Sequence, residues 1–548
     1  MSEAQTNTGE ARARSRHIVR STAMVMVIFA VTKGISLLQT FIIARYFGVG
    51  QDLDAYVTAN RIPELIVVLI SGGALGHAFI PIFSGYLARA QMPQAWRLAS
   101  HVINVVLTLA IVICAVTFVL TPWLVPNVIA PGFDAATTAQ TIELMRILLL
   151  GSIIFAVSGI FSGILQSFNH FLLPALAPIM YDLGILFGIV FLLEPLGLPG
   201  VAIGTVLGAG LHLLIQVPGL VRYRMRWIAE LGLRDPEVYR VARLMLPRII
   251  GLGVFQVNFI IMTNIASRLG VGAVSAFDWG WRLMQIPQTL IGTAMGIVIF
   301  PTLASLSALG DESGKRGAMS GALRFILVAS IPSAVGLVLV GQPLISLLEG
   351  GAFDVSASAL VYSALRAFTL GLIVHSMLEV VARSFYADKD TYTPLWAALV
   401  GAATNVVLSY VLSGVDQPRA EGADLSANVA GLALANSLAT AVEVGILLVI
   451  LRRRWRGIDE ATIAGTTLRA LAASLVMALG ILAVEALWAA LGFSGRGTVF
   501  TVALIVLQVT LGGLIFFGVA WALRMQELRD IVRLVVERKA KVSAEPAL

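Results

Sequence analysis

Fourteen apolar segments, centred near residues 32, 70, 110, 152, 183, 210, 254, 292, 332, 368, 402, 438, 478 and 510, leave this 548-residue chain little choice of fold class. A membrane-crossing helix needs roughly 20 mostly apolar residues, and each segment is of that order. Inside a bilayer the backbone finds no water, so only helices and closed barrels can cross. The segments are continuous rather than alternating, which selects helices. Charged residues make up only 13% of the chain against 58% hydrophobic, too little polar sequence to coat a soluble core of this size. The expectation is an all-α polytopic membrane protein with about 14 transmembrane helices.

Basic residues fall on alternate loops. One set carries Arg12, Arg14, Arg16 and Arg20, then Arg89 and Arg97, then the run from Arg222 to Arg243, then Lys315 and Arg316. It continues with Arg383 and Lys389, the run Arg452, Arg453, Arg454 and Arg456, and the tail from Arg524 to Lys541. The intervening loops hold four basic residues: Arg45, Arg268, Arg419 and Arg496. That asymmetry is the positive-inside pattern, and an even number of spans then places both termini in the cytoplasm. The same distribution accounts for a pI near 9.7 without any nucleic-acid partner. Residues 1–20 form a basic cytoplasmic arm. No small-residue cleavage motif follows, so the first span is expected to be retained rather than removed as a signal peptide. The tail, 525–548, reads as an amphipathic helix on the inner leaflet. Cys114 stands alone in an apolar run, which excludes a disulfide framework or a cysteine metal cluster.

Two halves of the chain resemble one another. ARYFGVGQDLDAY (Ala44–Tyr56) answers ASRLGVGAVSAF (Ala266–Phe277), and RIPELIVVLISGGALGHAFIP (Arg61–Pro81) answers QIPQTLIGTAMGIVIFP (Gln285–Pro301). LQSFNHFLLPALAP (Leu165–Pro178) answers ARSFYADKDTYTPLWA (Ala382–Ala397) through Ser-Phe and a following Pro. GVAIGTVLGAGLHLLIQV (Gly200–Val217) answers NVAGLALANSLATAVEVG (Asn428–Gly445). Six spans per unit give both units the same orientation, hence a pseudo-twofold axis along the membrane normal. The reading is a six-span N-lobe over 21–223, a cytoplasmic basic linker over 224–240, and a six-span C-lobe over 241–452. Two additional spans follow over 464–524.

Polar residues are placed where they cost most. Lys33, Arg61, Arg146, Arg248, Arg282, Arg324, Arg366 and Arg469 lie within or at the edges of spans. A basic side chain at a bilayer centre costs about 2.5–3.5 kcal/mol on insertion, so it faces a cavity or a partner. Arg324 and Arg469 lie near cytoplasmic ends, where they can snorkel, and Arg146 has Glu143 three residues earlier as a helical ion-pair partner. Lys33, Arg61 and Arg282 instead fall on segments rich in Gly and Pro, including Pro63, Gly72, Gly73 and Pro81. Proline frees carbonyls that must then face protein or water. These segments are read as walls of a wet central cavity whose cations suit an anionic substrate. No G-x-x-x-x-G-K-[ST] phosphate loop occurs, so ATP hydrolysis is not encoded. His77, His170, His212 and His375 are scattered among spans at no metal-binding spacing and read as packed polar residues. No cofactor, metal or catalytic constellation is expected, and the chain reads as a transporter rather than an enzyme.

The stretches ARYFGVGQDLDAYVTANRIPELI, GGALGHAFIPIFSGY, SGILQSFNHFLLPALAPIMYDLGI, FQVNFIIMTNIAS, WRLMQIPQTLIGTAMGIVIFPTL and SFYADKDTYTP together resemble the MurJ/MviN family of lipid II flippases, within the MOP transporter superfamily. The resemblance runs from about Thr22 to Arg452. It implies two six-helix lobes around a V-shaped cationic cavity that opens alternately to each side and engages the pyrophosphate and sugar-peptide of lipid II. Lys33 stands where the family usually has Arg, Arg282 matches a family Arg, and Asp54 matches the acid after the first span. Gln39 and Val67 each replace a usual Arg, and Gln285 a common Glu. Lys cannot grip a phosphate bidentately as Arg does, and Arg61 and Arg248 are placed to compensate. The family's cation-site pattern is kept only at Asn405, with Met262 and Ser409 departing, so no sodium site is expected.

The expected substrate-binding residues are therefore Lys33, Gln39, Asp54, Arg61, Arg248, Arg282 and Gln285. The expected partners are lipid II or a similar polyprenyl-pyrophosphate glycan, membrane lipids and cell-wall synthesis proteins, at the bacterial inner membrane. Two other readings stand beside the lipid II flippase. One is a flippase for another undecaprenyl-linked glycan or a MOP-superfamily exporter; the other is a non-transporting membrane scaffold for cell-wall synthesis.

Overall fold

The computed structural model describes residues 34–36, 38–70, 73–417, 423–493, 495, 497–525 and 527; the side chains of 73–77, 247 and 248 fall outside that description. Lys33, the basic arm 1–20, the tail beyond 527 and the side chains of His77 and Arg248 are thus outside the described residues. Among the described residues twelve helices are long and apolar enough to cross a membrane, and no strand is formed. The other two of the fourteen apolar segments, centred near 32 and 70, run across residues 1–33 and 71–72. The all-helical membrane architecture read from the sequence is the one observed.

The chain forms two compact units that divide between Ser267 and Arg268. The first contains α1 (Gln51–Ile70), α2 (Gly73–Ala88), α3 (Met92–Leu124), α4 (Ala135–Ser167), α5 (Leu172–Phe187), α6 (Leu198–Leu214) and α7 (Pro236–Ser267). The second contains α8 (Ala273–Gln288), α9 (Ala294–Ala308), α10 (Glu312–Ser346), α11 (Val355–Ala387), α12 (Tyr392–Ser413), α13 (Ser426–Arg454), α14 (Glu460–Ala490) and α15 (Thr498–Ala522). The repeat assigns α7 to the second lobe, yet it packs on α1 and α2, and Val238, Val241 and Met245 join the core built by Phe79, Phe83 and Trp96. In the second unit α11 is the central helix and α15 a peripheral one. Just over half of the apolar window of α11 is buried (56%), against 17% for α15, whose remaining apolar surface is left for lipid.

The internal repeat is visible in the helix ends. Helices α4 and α11 are both 33 residues long, about 50 Å at the α-helical rise. Each starts from an aspartate, Asp134 or Asp354, whose side chain accepts from the N–H three residues on, at 2.8 Å in both cases. Each ends in the same reversed turn, with Asn169 or Lys389 left-handed at φ 58° and 60°. His170 N–H then closes on the Leu165 carbonyl, and Asp390 N–H on that of Phe385, both at 2.9 Å. The turns therefore pair Phe168 with Asp388, and the Ser-Phe echo seen in the sequence is three residues out of register. Pro174 and Pro394 follow at matching places.

Two further features position the first unit. Helix α5 and the wide π turn that continues it (Gly188–Leu192) touch α6 backbone to backbone, because a Cβ on Gly184 would fall on Gly208 and one on Gly204 would fall on Gly188. Small residues at such crossings let membrane helices pack by close van der Waals contact. The basic linker is stitched to α3. Asn104 Nδ2 donates to the Ile228 and Glu230 carbonyls at 2.7 Å, Trp227 Nε1 donates to Asn104 Oδ1 at 2.9 Å, and the buried His101 shares a 2.9 Å bond with Asp235.

The glycine crossing yields a matched pair of variants. Gly204→Ala forces backbones apart, and overpacking of this kind costs about 1–3 kcal/mol; Gly210→Ala meets nothing within 4 Å. Thermal unfolding in detergent is expected to show a lowered midpoint for the first and an unchanged or raised one for the second. Equal midpoints would contradict the crossing.

Candidate functional site

The candidate residues fall on two similar pieces of chain, one in each unit. In the first, α1 begins with Asp52 and Asp54 in its opening turn, where carboxylates favour a helix N-terminus. Asp54 is 1% exposed. Seven residues on, Arg61 lies on the same face and is also buried, at 7% exposure. Its Nε donates to Thr263 Oγ1 on α7 at 3.0 Å, and its guanidinium carbon lies 5.6 Å from the Phe259 ring centre. Thr263 in turn donates to the Phe259 carbonyl at 2.9 Å. Arg61, expected on a wet wall, is here a tie between α1 and α7. Pro63 follows, and its carbonyl accepts from Ser152 Oγ on α4 at 3.1 Å. Gln39 and Val67 are half-buried.

In the second unit α8 is enclosed over its first nine residues, Ala273 to Trp281, and then opens. The side chain of Arg282 is 63% exposed, while its Nε meets Oδ2 of the buried Asp278 one turn earlier at 2.5 Å. Gln285 lies one turn further on and is half-buried. Pro287 then removes an N–H, and the helix relaxes into a wide π turn over Thr289–Thr293 before α9 resumes. A charged pair one turn apart is the arrangement a helix supports best, and here it holds a guanidinium at the point where the helix stops being enclosed.

Asp278 was not among the residues singled out by sequence, although a signal for it exists. Counting back from the shared Ile-Pro steps, Ile62-Pro63 and Ile286-Pro287, Asp54 and Asp278 each lie eight residues before the isoleucine. Both are buried. The partners of Arg61 had no such signal. Arg248 is on α7, and Lys33 is outside the described residues. Of the expected set, the structure brings Asp54 and Arg61 onto one helix of the first unit, and Arg282 and Gln285 onto one helix of the second.

Other intramembrane polar residues are absorbed by packing. His212 Nδ1 meets Ser158 Oγ at 2.7 Å beside the buried Gln216. His375 Nε2 meets Asn436 and Thr440 at 3.2 and 3.3 Å under the Trp281 ring. Arg146 does not pair with Glu143; its guanidinium lies 4.7 Å from the Phe118 ring. Arg324 pairs with Glu527 at 2.9 Å rather than snorkelling alone. Met262, Asn405 and Ser409 are all buried, and Ser409 donates to Asn405 Oδ1 at 3.2 Å. Among the described residues no three His, Cys, Asp or Glu side chains gather at metal-binding range. Two clefts, of about 520 and 380 Å³, are lined by none of the expected substrate-binding residues.

Against known proteins, residues 43–507 match the family described as lipid II flippase MurJ. The chain belongs to the MurJ family. A protein named lipid II flippase MurJ from Burkholderia cenocepacia is 29% identical over 497 residues, covering 88% of this chain and 93% of that one. A probable lipid II flippase MurJ from Rhizobium tropici is 30% identical over 517 residues, covering 92% and 94%. A solved structure described as lipid II flippase MurJ, inward closed conformation, shares the fold at TM-score 0.74, with 22% identity over 93% of this chain and 99% of that one. An inward-facing MATE transporter of the MOP superfamily shares it at TM-score 0.65, with 16% identity over 80% and 99%.

The stretch Ser384–Pro394, one carrier of the resemblance to the MurJ family, turns out to be a tie between helices. Asp388 Oδ1 accepts from Lys315 Nζ on α10 at 2.9 Å and from Ser307 Oγ on α9 at 2.6 Å. Asp390 accepts from the Thr393 N–H at 3.0 Å and hydroxyl at 2.7 Å, and from Arg454 Nη2 on α13 at 2.6 Å. Burial pushes the Asp390 carboxyl up, but Thr393 and Arg454 outweigh it and hold it below the usual range. A depressed carboxyl stabilises the fold above its unfolded value, about 4, and loses that contribution as pH falls through the folded value. Asp390→Asn is therefore expected to lower the thermal midpoint at pH 7 by roughly 3 °C. The gap to the parent protein should close as the scan is repeated below about pH 4; a gap independent of pH would count against this account.

Proposed function

We propose that this chain flips lipid II from the cytoplasmic to the outer leaflet of the bacterial inner membrane by alternating access, without ATP. Membership of the MurJ family across residues 43–507 carries the reading. The site chemistry is consistent with it. Arg282, exposed and oriented by Asp278, offers a guanidinium to a pyrophosphate. Charge-assisted bonds from guanidinium to phosphate are the strong class of polar contact. The lipid tail stays in the bilayer while the head group crosses. With both termini cytoplasmic, a membrane potential negative inside favours outward movement of the head by about 2.3 kcal/mol per charge per 100 mV.

One observation favours a second reading, a flippase for a different polyprenyl-linked glycan. Gln39 and Val67 remove two cations that the resemblance places around the pyrophosphate. A head group with less charge demands fewer arginines.

Complementation separates the readings. In cells depleted of their own lipid II flippase, the chain is expected to restore growth. Arg282→Ala is expected to lower flipping of labelled lipid II by about tenfold, the loss of one charged contact, and Arg282→Lys to recover part of it. Failure to rescue together with an inert Arg282→Ala would sink the proposal in favour of a scaffold. Rescue only when another polyprenyl glycan is the limiting substrate would favour the second reading.

A further inference from the structure

The turn joining α13 to α14 lies outside the proposed substrate path and is built with care. Helix α13 stops at Arg454. Arg456 takes the left-handed conformation at φ 54°, and Gly457 N–H closes on the Arg452 carbonyl at 2.9 Å, the reversed bond that satisfies a helix end. Trp455, 1% exposed, anchors the turn: the Lys315 ammonium lies 5.4 Å from its ring, and Arg316 donates to its carbonyl at 2.8 Å. Asp459 directs its two oxygens to the Ser320 and Thr462 hydroxyls, each at 2.9 Å.

What this turn frames is a cleft of about 520 Å³ lined by Val449, Arg452, Arg453, Arg456, Gly457 and Glu460. Arg452 Nε meets Glu460 Oε1 at 2.7 Å, so the acid in the lining is matched by one of the three arginines. Three cations less one acid leave a net charge of +2. Positive-inside topology asks only for basic residues on this side of the membrane. It does not ask for three guanidiniums around one cleft, nor for a buried tryptophan to fix them. Val449, one helical turn toward the apolar part of α13, gives the cleft an edge on the hydrocarbon side. A concave basic site that borders both water and hydrocarbon matches the phosphate of a lipid still seated in its leaflet.

We infer that this cleft binds the headgroup phosphate of an anionic phospholipid from the inner leaflet, as a site separate from the transported substrate. Arg453 and Arg456 hold the phosphate, Arg452 completes the ring while tied to Glu460, and Val449 meets the start of the acyl chains.

The test is native mass spectrometry of the full-length protein in detergent, titrated with phosphatidylglycerol, with phosphatidylcholine, and with inorganic phosphate alone. Phosphatidylglycerol is expected to bind more tightly than phosphatidylcholine. The double variant Arg453→Ala/Arg456→Ala should weaken it roughly 30-fold, the loss of two juxtamembrane cations. Glu460→Gln should tighten it several-fold by removing the acid, a change in the opposite direction that general damage does not produce. Arg240→Ala/Arg243→Ala, exposed on α7 and outside the cleft, should change it little. Equal loss in both double variants, or no loss in either, overturns the site in favour of diffuse surface charge. Equal affinity for the two lipids with full competition by inorganic phosphate overturns the lipid assignment in favour of a free-anion site.

Discussion

Everything in this molecule follows from the absence of water at the level where most of its chain lies. A backbone group left unbonded in hydrocarbon costs several kcal/mol, so the described residues are helical almost throughout. Beside the proline of α1, Ser152 Oγ donates across to the Pro63 carbonyl. The chain widens into a π turn just after Pro287 and then continues as α9. The hydroxyls of Thr40, Thr108, Thr121, Thr141 and Ser333 all donate back to the carbonyl four residues earlier. The same rule governs charge. Asp278 and Arg282 lie on one helix turn, Arg61 is tied across to Thr263, and Arg146 covers an aromatic face.

Much of this was legible in the sequence because the physics that writes it is local. Span length, the prolines of the second span and its echo, and the charge asymmetry of the loops all act within a few tens of residues. What escaped depends on distant chain. Arg61 and Thr263 are 202 residues apart, and nothing in either neighbourhood announces the other. Arg146 had a plausible acid one turn away and instead lies over a ring 28 residues away, its Nε donating to the Phe118 carbonyl. The Ser-Phe echo misled by three residues because identity of letters is weaker evidence than identity of turns. Asp278 is marked in the sequence only by its distance from Ile286-Pro287, the same as that of Asp54 from Ile62-Pro63.

The two units keep a common frame and fill it differently. Phe155 and His375 occupy the same place along α4 and α11, and each packs on a polar residue of the facing helix: His212 in one unit, Thr440 in the other. The histidine has changed helices while the layer stays polar. At the turns, Phe168 of the first unit stacks on Tyr223 at 4.2 Å, whereas its counterpart Asp388 anchors a lysine. The turn after α4 is closed by aromatic packing and the turn after α11 by ion pairs.

The pairing of Asp278 with Arg282 matters before the protein is folded. A nascent helix is handed to the lipid one span at a time, before its neighbouring helices are in place. With its counter-ion one turn away on the same helix, Arg282 enters as part of a neutral unit and the insertion cost falls on the pair rather than on a bare cation. The carboxylate thus acts first in biogenesis, and its loss registers as a shortage of inserted protein in the cell.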